Sequence, residues 1–191
     1  IFKKDIFLYI YHNIRKNYSE IILEKRKIRI FSPNIILKWR ADTFFTKEPF
    51  TLNWIDKFKG KEIIFFDIGA NIGLYSLYAA IKHKNIRVYS FEPSFLNLYS
   101  LSKNVFINKL SNKISVISNP IFEKKHGLSI FSDTSEFEGA ALNNFDSGED
   151  QDGKKLNKVK NSYKILGFNL DYFIDNNILK LPNYIKIDVD G

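Results

Sequence analysis

The stretch Phe65-Phe66-Asp67-Ile68-Gly69-Ala70-Asn71-Ile72-Gly73-Leu74-Tyr75-Ser76 holds the residue types best suited to chemistry. An apolar run ends in an acid, and a Gly-x-Asn-x-Gly turn then opens a helix. Where a strand hands over to a helix, such a turn lets a ligand approach the backbone and offers N–H groups that point outward. The pattern therefore predicts a nucleotide-like ligand over residues 67–73. The two glycines are spaced Gly69-x-x-x-Gly73, not Gly-x-Gly-x-x-Gly, so no close pyrophosphate contact is provided for and a dinucleotide is the second choice. Glu92 closes the next apolar run, 19 residues after Gly73 (92 − 73 = 19), where an acid can accept hydrogen bonds from ribose hydroxyls. Glu92-Pro93 is thus a second match, independent of the turn.

Composition narrows the remaining chemistry. Zero Cys removes disulfides, thiolate zinc sites and thiol nucleophiles, and 3 His are too few for an imidazole-rich centre, so no metal is expected. With 45% hydrophobic and 16% aromatic residues in 191, the chain can build the core of about one domain, which excludes a wholly disordered polymer. The longest N-terminal apolar run, Ile6 to Tyr11, is far short of the roughly 20 residues that span a bilayer, so no membrane span is expected and the chain reads as soluble and cytoplasmic. The net charge of +8 comes mainly from scattered Lys; only Lys25-Arg26-Lys27 and Lys124-Lys125-His126 cluster, and a solvated face accounts for both without a nucleic acid. Met is absent and the first residue is Ile1, so the chain is expected to be a fragment.

The elements that must position these residues follow from periodicity. Ile6, Ile10, Ile14, Tyr18 and Ile21 fall at helical spacing and predict an amphipathic helix within residues 1–24. The alternation in Lys27 to Phe31, the turn signal Ser32-Pro33-Asn34 and the run Ile35 to Trp39 predict a hairpin. Pro49 begins a helix through Phe58, closed by Gly60. From residue 61 short apolar runs alternate with helical stretches, the pattern of parallel strands covered on both faces. Strands are predicted at Glu62 to Phe66, Ile86 to Phe91, Lys113 to Ser118 and Tyr184 to Val189, with a buried helix at Ile72 to Ile81 and another capped by Ser94. Residues 119–168 break the rhythm and read as an inserted pair of strands, around Leu128 to Phe131 and Tyr163 to Leu166, flanking a polar loop from Asp146 to Lys160. A short helix at Asp171 to Leu179 leads to the final strand. The expected organisation is an N-terminal extension, residues 1–60, packed on an α/β domain, residues 61–191.

Taken together these motifs resemble class I S-adenosylmethionine-dependent methyltransferases, and within them the FkbM family. The resemblance is carried by Trp39-Arg40-Ala41-Asp42-Thr43-Phe44 with Lys47-Glu48-Pro49 and Trp54-Ile55-Asp56, by the loop from Asp67 to Ser76, by Phe91-Glu92-Pro93-Ser94, and by Ile185-Lys186-Ile187-Asp188-Val189-Asp190-Gly191. It implies a Rossmann-like, doubly wound, mostly parallel sheet with an N-terminal helix and hairpin, a β insertion, and further strands and helices beyond Gly191. It also implies S-adenosyl-L-methionine as cofactor. Asp67, Gly69, Ala70, Asn71 and Gly73 would cradle its methionine part, Glu92 with Pro93 its ribose, and Asn119 its adenine. Asp188 would face the reacting methyl. The family often has Glu where this chain has the shorter acid Asp190.

The chemistry so implied is displacement at a sulfonium methyl, in which the protein aligns an acceptor oxygen and helps remove its proton. A hydroxyl is a poor nucleophile until that proton is being taken, so a general base is worth roughly 100- to 10,000-fold. Asp188 is the first candidate and His126 a weaker one; His12 and His83 have no motif around them. The expected activity is O-methylation of a small-molecule acceptor, a sugar or glycan hydroxyl. The alternatives are a catalytically silent nucleotide-binding scaffold and, on the charge alone, an RNA methyltransferase. The oligomeric state stays open.

Overall fold

The computed structural model describes residue 6 and residues 17–141, 143–145 and 159–189. Its centre is a four-stranded parallel sheet of order β5-β4-β3-β9, built from β3 (Ile63–Ile68), β4 (Ile86–Phe91), β5 (Ile114–Ile117) and β9 (Tyr184–Ile187). Every residue of β3 is buried, as a strand with neighbours on both edges and layers on both faces requires. The chain steps outward from β3 to β4 to β5 and then returns to the other side of β3, so the strand order reverses between β3 and β9. Ligands in such sheets bind beyond the carboxyl ends of the strands at that reversal. The expected α/β class and the four core strands are therefore found.

Alternate residues of the strands feed two cores. Ile63, Phe65, Ile86 and Val88 point to one face, where they meet Leu77, Ala79 and Ala80 of α4 (Leu74–Lys82) and Leu101 and Val105 of α5 (Phe95–Ile107). Ile64, Phe66, Tyr89 and Phe91 point to the other, against Phe173 of α6 (Leu170–Asp175). Ser94 sits at the N-terminal boundary of α5 as expected, but its side chain makes no capping bond there. Helix α6 is shorter than the reading of Asp171 to Leu179, because Ile178 and Leu179 instead turn their N–H groups back to the Phe173 carbonyl.

The N-terminal part differs from its reading. Tyr18 and Ile21 lie not in a helix but in β1 (Tyr18–Leu23), which pairs antiparallel with β2 (Arg26–Phe31). Ile21, Leu23, Ile28 and Ile30 all reach the core, so the alternation wins over the helical spacing. Residues 1–5 and 7–16, the rest of the expected helix, lie outside the described residues. The run expected as the second hairpin strand is α1 (Ile35–Asp42). Its Asn34 side chain accepts from the Leu37 N–H at 2.9 Å, and only Leu37 and Ala41, four apart, are buried. An N-cap bond and a one-sided pattern thus override the strand propensity of Ile35-Ile36. Then come α2 (Phe44–Lys47) and α3 (Pro49–Asp56), the latter begun by Pro49 as read. Leu52, Ile55 and Phe58 join the same core cluster as Phe65 and Leu77.

The insertion is a three-stranded antiparallel sheet, order β7-β6-β8, of β6 (His126–Asp133), β7 (Asn144–Phe145) and β8 (Asn161–Phe168). Both strands read in the sequence are present and longer than read; residues 146–158 of the polar loop lie outside the described residues.

Gly73 opens α4 at φ 84°, and a Cβ there would overlap Leu101 of α5. The glycine is what lets the two helices approach, so Gly73→Ala combines left-handed strain with a steric overlap and should cost about 1–3 kcal/mol. Urea unfolding of the variant is expected to show a lower midpoint with an unchanged slope.

Candidate functional site

The carboxyl ends of β3, β4 and β9 converge on the turn from Gly69 to Gly73, and hydrogen bonds lock them together. The Phe91 carbonyl at the end of β4 accepts from both the Gly69 and Ala70 N–H groups, at 3.0 and 2.9 Å. The Asn71 N–H donates to Glu92 Oε2 at 2.7 Å, the Ile72 N–H to the Asn71 side chain at 3.0 Å, and the Gly73 N–H to the Ala70 carbonyl at 2.8 Å. On the other side the Asp188 N–H donates to the Ile68 carbonyl at 3.0 Å. The outward-pointing N–H groups expected of this turn are therefore engaged from residue 69 to residue 73. A backbone so committed offers no anion cradle, which gives the physical reason for setting a pyrophosphate ligand aside.

Gly69 is also explained differently from the expectation. At φ +76° its missing Cβ would overlap the Asp188 carbonyl oxygen, so the glycine lets β9 leave the sheet past the turn rather than letting a ligand in.

Beneath the turn lies Asp67, with no exposure to solvent. The Ser76 hydroxyl donates to its Oδ2 at 2.6 Å and lies 2.7 Å from the Ser90 hydroxyl. Oδ1 has no hydrogen-bond partner among the described residues and sits 3.7 Å from the Lys186 ammonium, which reaches Asp188 Oδ2 at 2.9 Å. Burial pushes the Asp67 carboxyl upward, against Lys186 and the Ser76 bond, which pull it down. Asp67 thus supports the turn from below and does not line the cavity; neither does Gly73.

Above the turn is a cavity of about 250 Å³ lined by Gly69, Asn71, Glu92, Pro93, Asn119 and Asp188, so the structure brings six of the expected site residues together. A second pocket of about 40 Å³ adjoins it over Ala70, Tyr75, Glu48 and Lys186. Glu92, 5% exposed, accepts from the Asn71 and Ser94 N–H groups and, at 3.5 Å, from the Asn97 amide. Burial raises its pKa to about 7, with the nearby Asp133 adding to the shift and those N–H bonds opposing it. A carboxylate can accept about four bonds and three are taken, so a position remains for one hydroxyl donor. Asn119 turns its amide N–H to the Leu166 carbonyl, 2.8 Å away, leaving its oxygen.

Three features of the site went unread. Arg40, from the last turn of α1, lines both cavities. Lys47 does so as well. The segment Glu138-Gly139-Ala140 brings Ala140 to one wall, held by Arg40 Nε to the Gly139 carbonyl at 2.6 Å and by Asn71 and Asn97 amides to the Ala140 carbonyl at 2.9 and 3.2 Å. Arg40 follows directly on Ile35 to Trp39, whose strand-like composition hides where it points; the wall carries no motif at all. His126 is exposed beside Phe168 and Tyr172 and lines neither cavity, and His83 bonds the Ile55 carbonyl. His12, Asp190 and Gly191 lie outside the described residues. Among those described, no cluster of His, Asp and Glu is placed to hold a metal, and no helix is long and apolar enough to cross a membrane.

A family model described as the methyltransferase FkbM domain matches residues 67–191. The 31-O-demethyl-FK506 methyltransferase FkbM of Streptomyces tacrolimicus is 31% identical over 51 residues, 27% of this chain and 20% of that protein. Among solved structures, methyltransferase FkbM from Methylobacillus flagellatus is similar over 81% of this chain and 36% of that one, at 18% identity and TM-score 0.40. P. horikoshii TYW2, solved in complex with MeSAdo, covers 58% of this chain and 40% of its own, at 18% identity and TM-score 0.41. The chain thus spans a fifth of the curated relative and about two fifths or less of these structures.

Glu92 makes stability depend on pH with a defined sign. In the unfolded chain it titrates near 4.5, in the folded one near 7, so the folded state holds the extra proton between those values. The stability this contributes is complete below about pH 4.5 and is lost as pH rises through 7. Glu92→Gln, neutral throughout, is expected to flatten that part of the decline when unfolding free energies are measured from pH 4.5 to 8, while the shares of Asp67 and Asp133 remain.

Proposed function

The chain belongs to the FkbM methyltransferase family, and from that premise we propose that it is the core of an S-adenosylmethionine-dependent O-methyltransferase whose acceptor is a hydroxyl of a sugar or other small metabolite. The observation that carries the reading is the buried Glu92 carboxylate, fixed to the turn by the Asn71 N–H and opening on the 250 Å³ cavity with acceptor capacity to spare. The donor set fits the cofactor. Glu92 would receive a ribose hydroxyl; Asn119, Pro120 and Ile121 would flank the adenine; the Gly69-Ala70-Asn71 backbone would line the methionine part. When bound, the sulfonium supplies the methyl group together with its own leaving group.

The protein's share is then alignment and one proton. Asp188, at the end of β9, lines both cavities, with Lys186 occupying its Oδ2 and its other oxygen making no hydrogen bond among the described residues. That free oxygen would take the acceptor hydroxyl proton as the oxygen attacks the methyl carbon. Lys186, nearly buried between Asp67 and Asp188, fixes the orientation of the base.

Calorimetry on the full-length protein tests the cofactor: S-adenosylhomocysteine should bind, and NAD should not. Tight NAD binding without a signal for S-adenosylhomocysteine would overturn the reading. Asp188→Asn should keep S-adenosylhomocysteine affinity within about threefold while kcat falls by roughly 100-fold or more, as loss of a general base demands. Cofactor binding with no transfer to any sugar or small alcohol would favour the silent scaffold.

A further inference from the structure

We propose that Arg40, with Lys47 beside it, grips the carboxylate at the amino-acid end of the cofactor, making a helix-borne arginine rather than the glycine turn the anion site of this fold. The inference rests on the cofactor reading above and deepens it.

A zwitterionic amino-acid tail needs a partner for its carboxylate. In strand-to-helix turns the usual partner is the backbone N–H array, and here those groups are spent from Gly69 to Gly73 on Phe91, Glu92, Asn71 and Ala70. Arg40 supplies what the turn withholds. Of its five N–H donors, only Nε is engaged among the described residues, with the Gly139 carbonyl at 2.6 Å, and the guanidinium forms no ion pair among them. Its burial pulls its pKa below the ordinary arginine value, while Asp188, Glu92 and Glu48 act on it in the opposite sense. A partly buried fork with both terminal amines unclaimed is suited to a bidentate carboxylate.

The order of the cavities says which end of the ligand reaches it. Glu92 and Asn119 line only the larger cavity, Glu48 and Tyr75 only the smaller, and Arg40, Lys47 and Asp188 line both. With the ribose on Glu92 and the base toward Asn119, the amino-acid end of an extended ligand runs to the junction where Arg40 waits. Lys47, whose ammonium is 3.6 Å from Glu48, adds a second, more exposed positive charge there.

The test compares two ligands that differ only at that end. S-adenosylhomocysteine carries the amino-acid tail; 5′-methylthioadenosine ends in a methylthio group. Both are titrated calorimetrically into full-length wild type, Arg40→Gln and Arg40→Lys. Loss of a charge-assisted fork should weaken S-adenosylhomocysteine about 10- to 100-fold in Arg40→Gln and less in Arg40→Lys, with methylthioadenosine changed by less than about twofold in both. Equal weakening of both ligands would mean that Arg40 acts by holding Gly139, and would overturn the proposal. Unchanged affinity for both would overturn it too, and a raised KM confined to the methyl acceptor would assign the arginine to an acceptor anion instead. Wild type that binds neither ligand would sink the cofactor reading itself, an outcome distinct from every failure of the arginine alone.

Discussion

The site depends on one constraint: the five N–H groups from Gly69 to Gly73 are all bonded inward, chiefly to the end of β4. The Phe91 carbonyl takes two of them and the Glu92 carboxylate a third. Each such bond is worth only about 1 kcal/mol net, but leaving a buried N–H unpaired costs more, so the turn has little freedom to depart from this shape. Because Glu92 is held by the turn, the acid that faces the cavity cannot shift without unpairing Asn71. The carboxylate that fixes the turn is thereby also the one that lines the cavity.

Below the turn the same economy recurs with charge. Asp67 would be costly to bury alone, and it is not alone: Ser76 donates to it, Ser90 extends the hydroxyl chain, and Lys186 stands 3.7 Å away. A buried ion pair adds little to stability by itself, since desolvation consumes most of the attraction. What it does here is geometric. Lys186 is shared between Asp67, at the end of β3, and Asp188, just past the end of β9, so two adjacent strands present their terminal acids in fixed relation.

The parallel sheet was legible because strands buried on both faces are written as unbroken apolar runs; Ile86–Phe91 matches its predicted limits, and the other three fall within two residues at both ends. The acid positions after those runs were legible for the same reason, since a strand end is where the ligand side begins. Outside the sheet the signal was ambiguous. Ile35-Ile36-Leu37 has the composition of a strand, and what makes it a helix is a single side-chain bond from Asn34. That difference bears on the site, because Arg40 enters the cavity from the last turn of this helix. The glycines show a subtler limit. Their positions were read, while their reasons lay in partners distant in sequence, Asp188 for Gly69 and Leu101 for Gly73.

The cavity therefore has two walls of unequal stiffness. One is the sheet edge and the turn, cross-bonded through backbone groups and continuous with both cores. The other is Glu138-Gly139-Ala140, which is tied down by side chains: Asn34 to Glu138, Arg40 and Asn97 to Gly139, Asn71 and Asn97 to Ala140. At about 1 kcal/mol net for each bond, this wall is held by a few kcal/mol, against the whole folding free energy for the sheet. Every residue that ties it, except Asn34, also lines the cavity. A ligand that recruits the Asn71 or Asn97 amide competes directly with the wall for the same donors, so occupation of the cavity and the position of this wall are energetically linked.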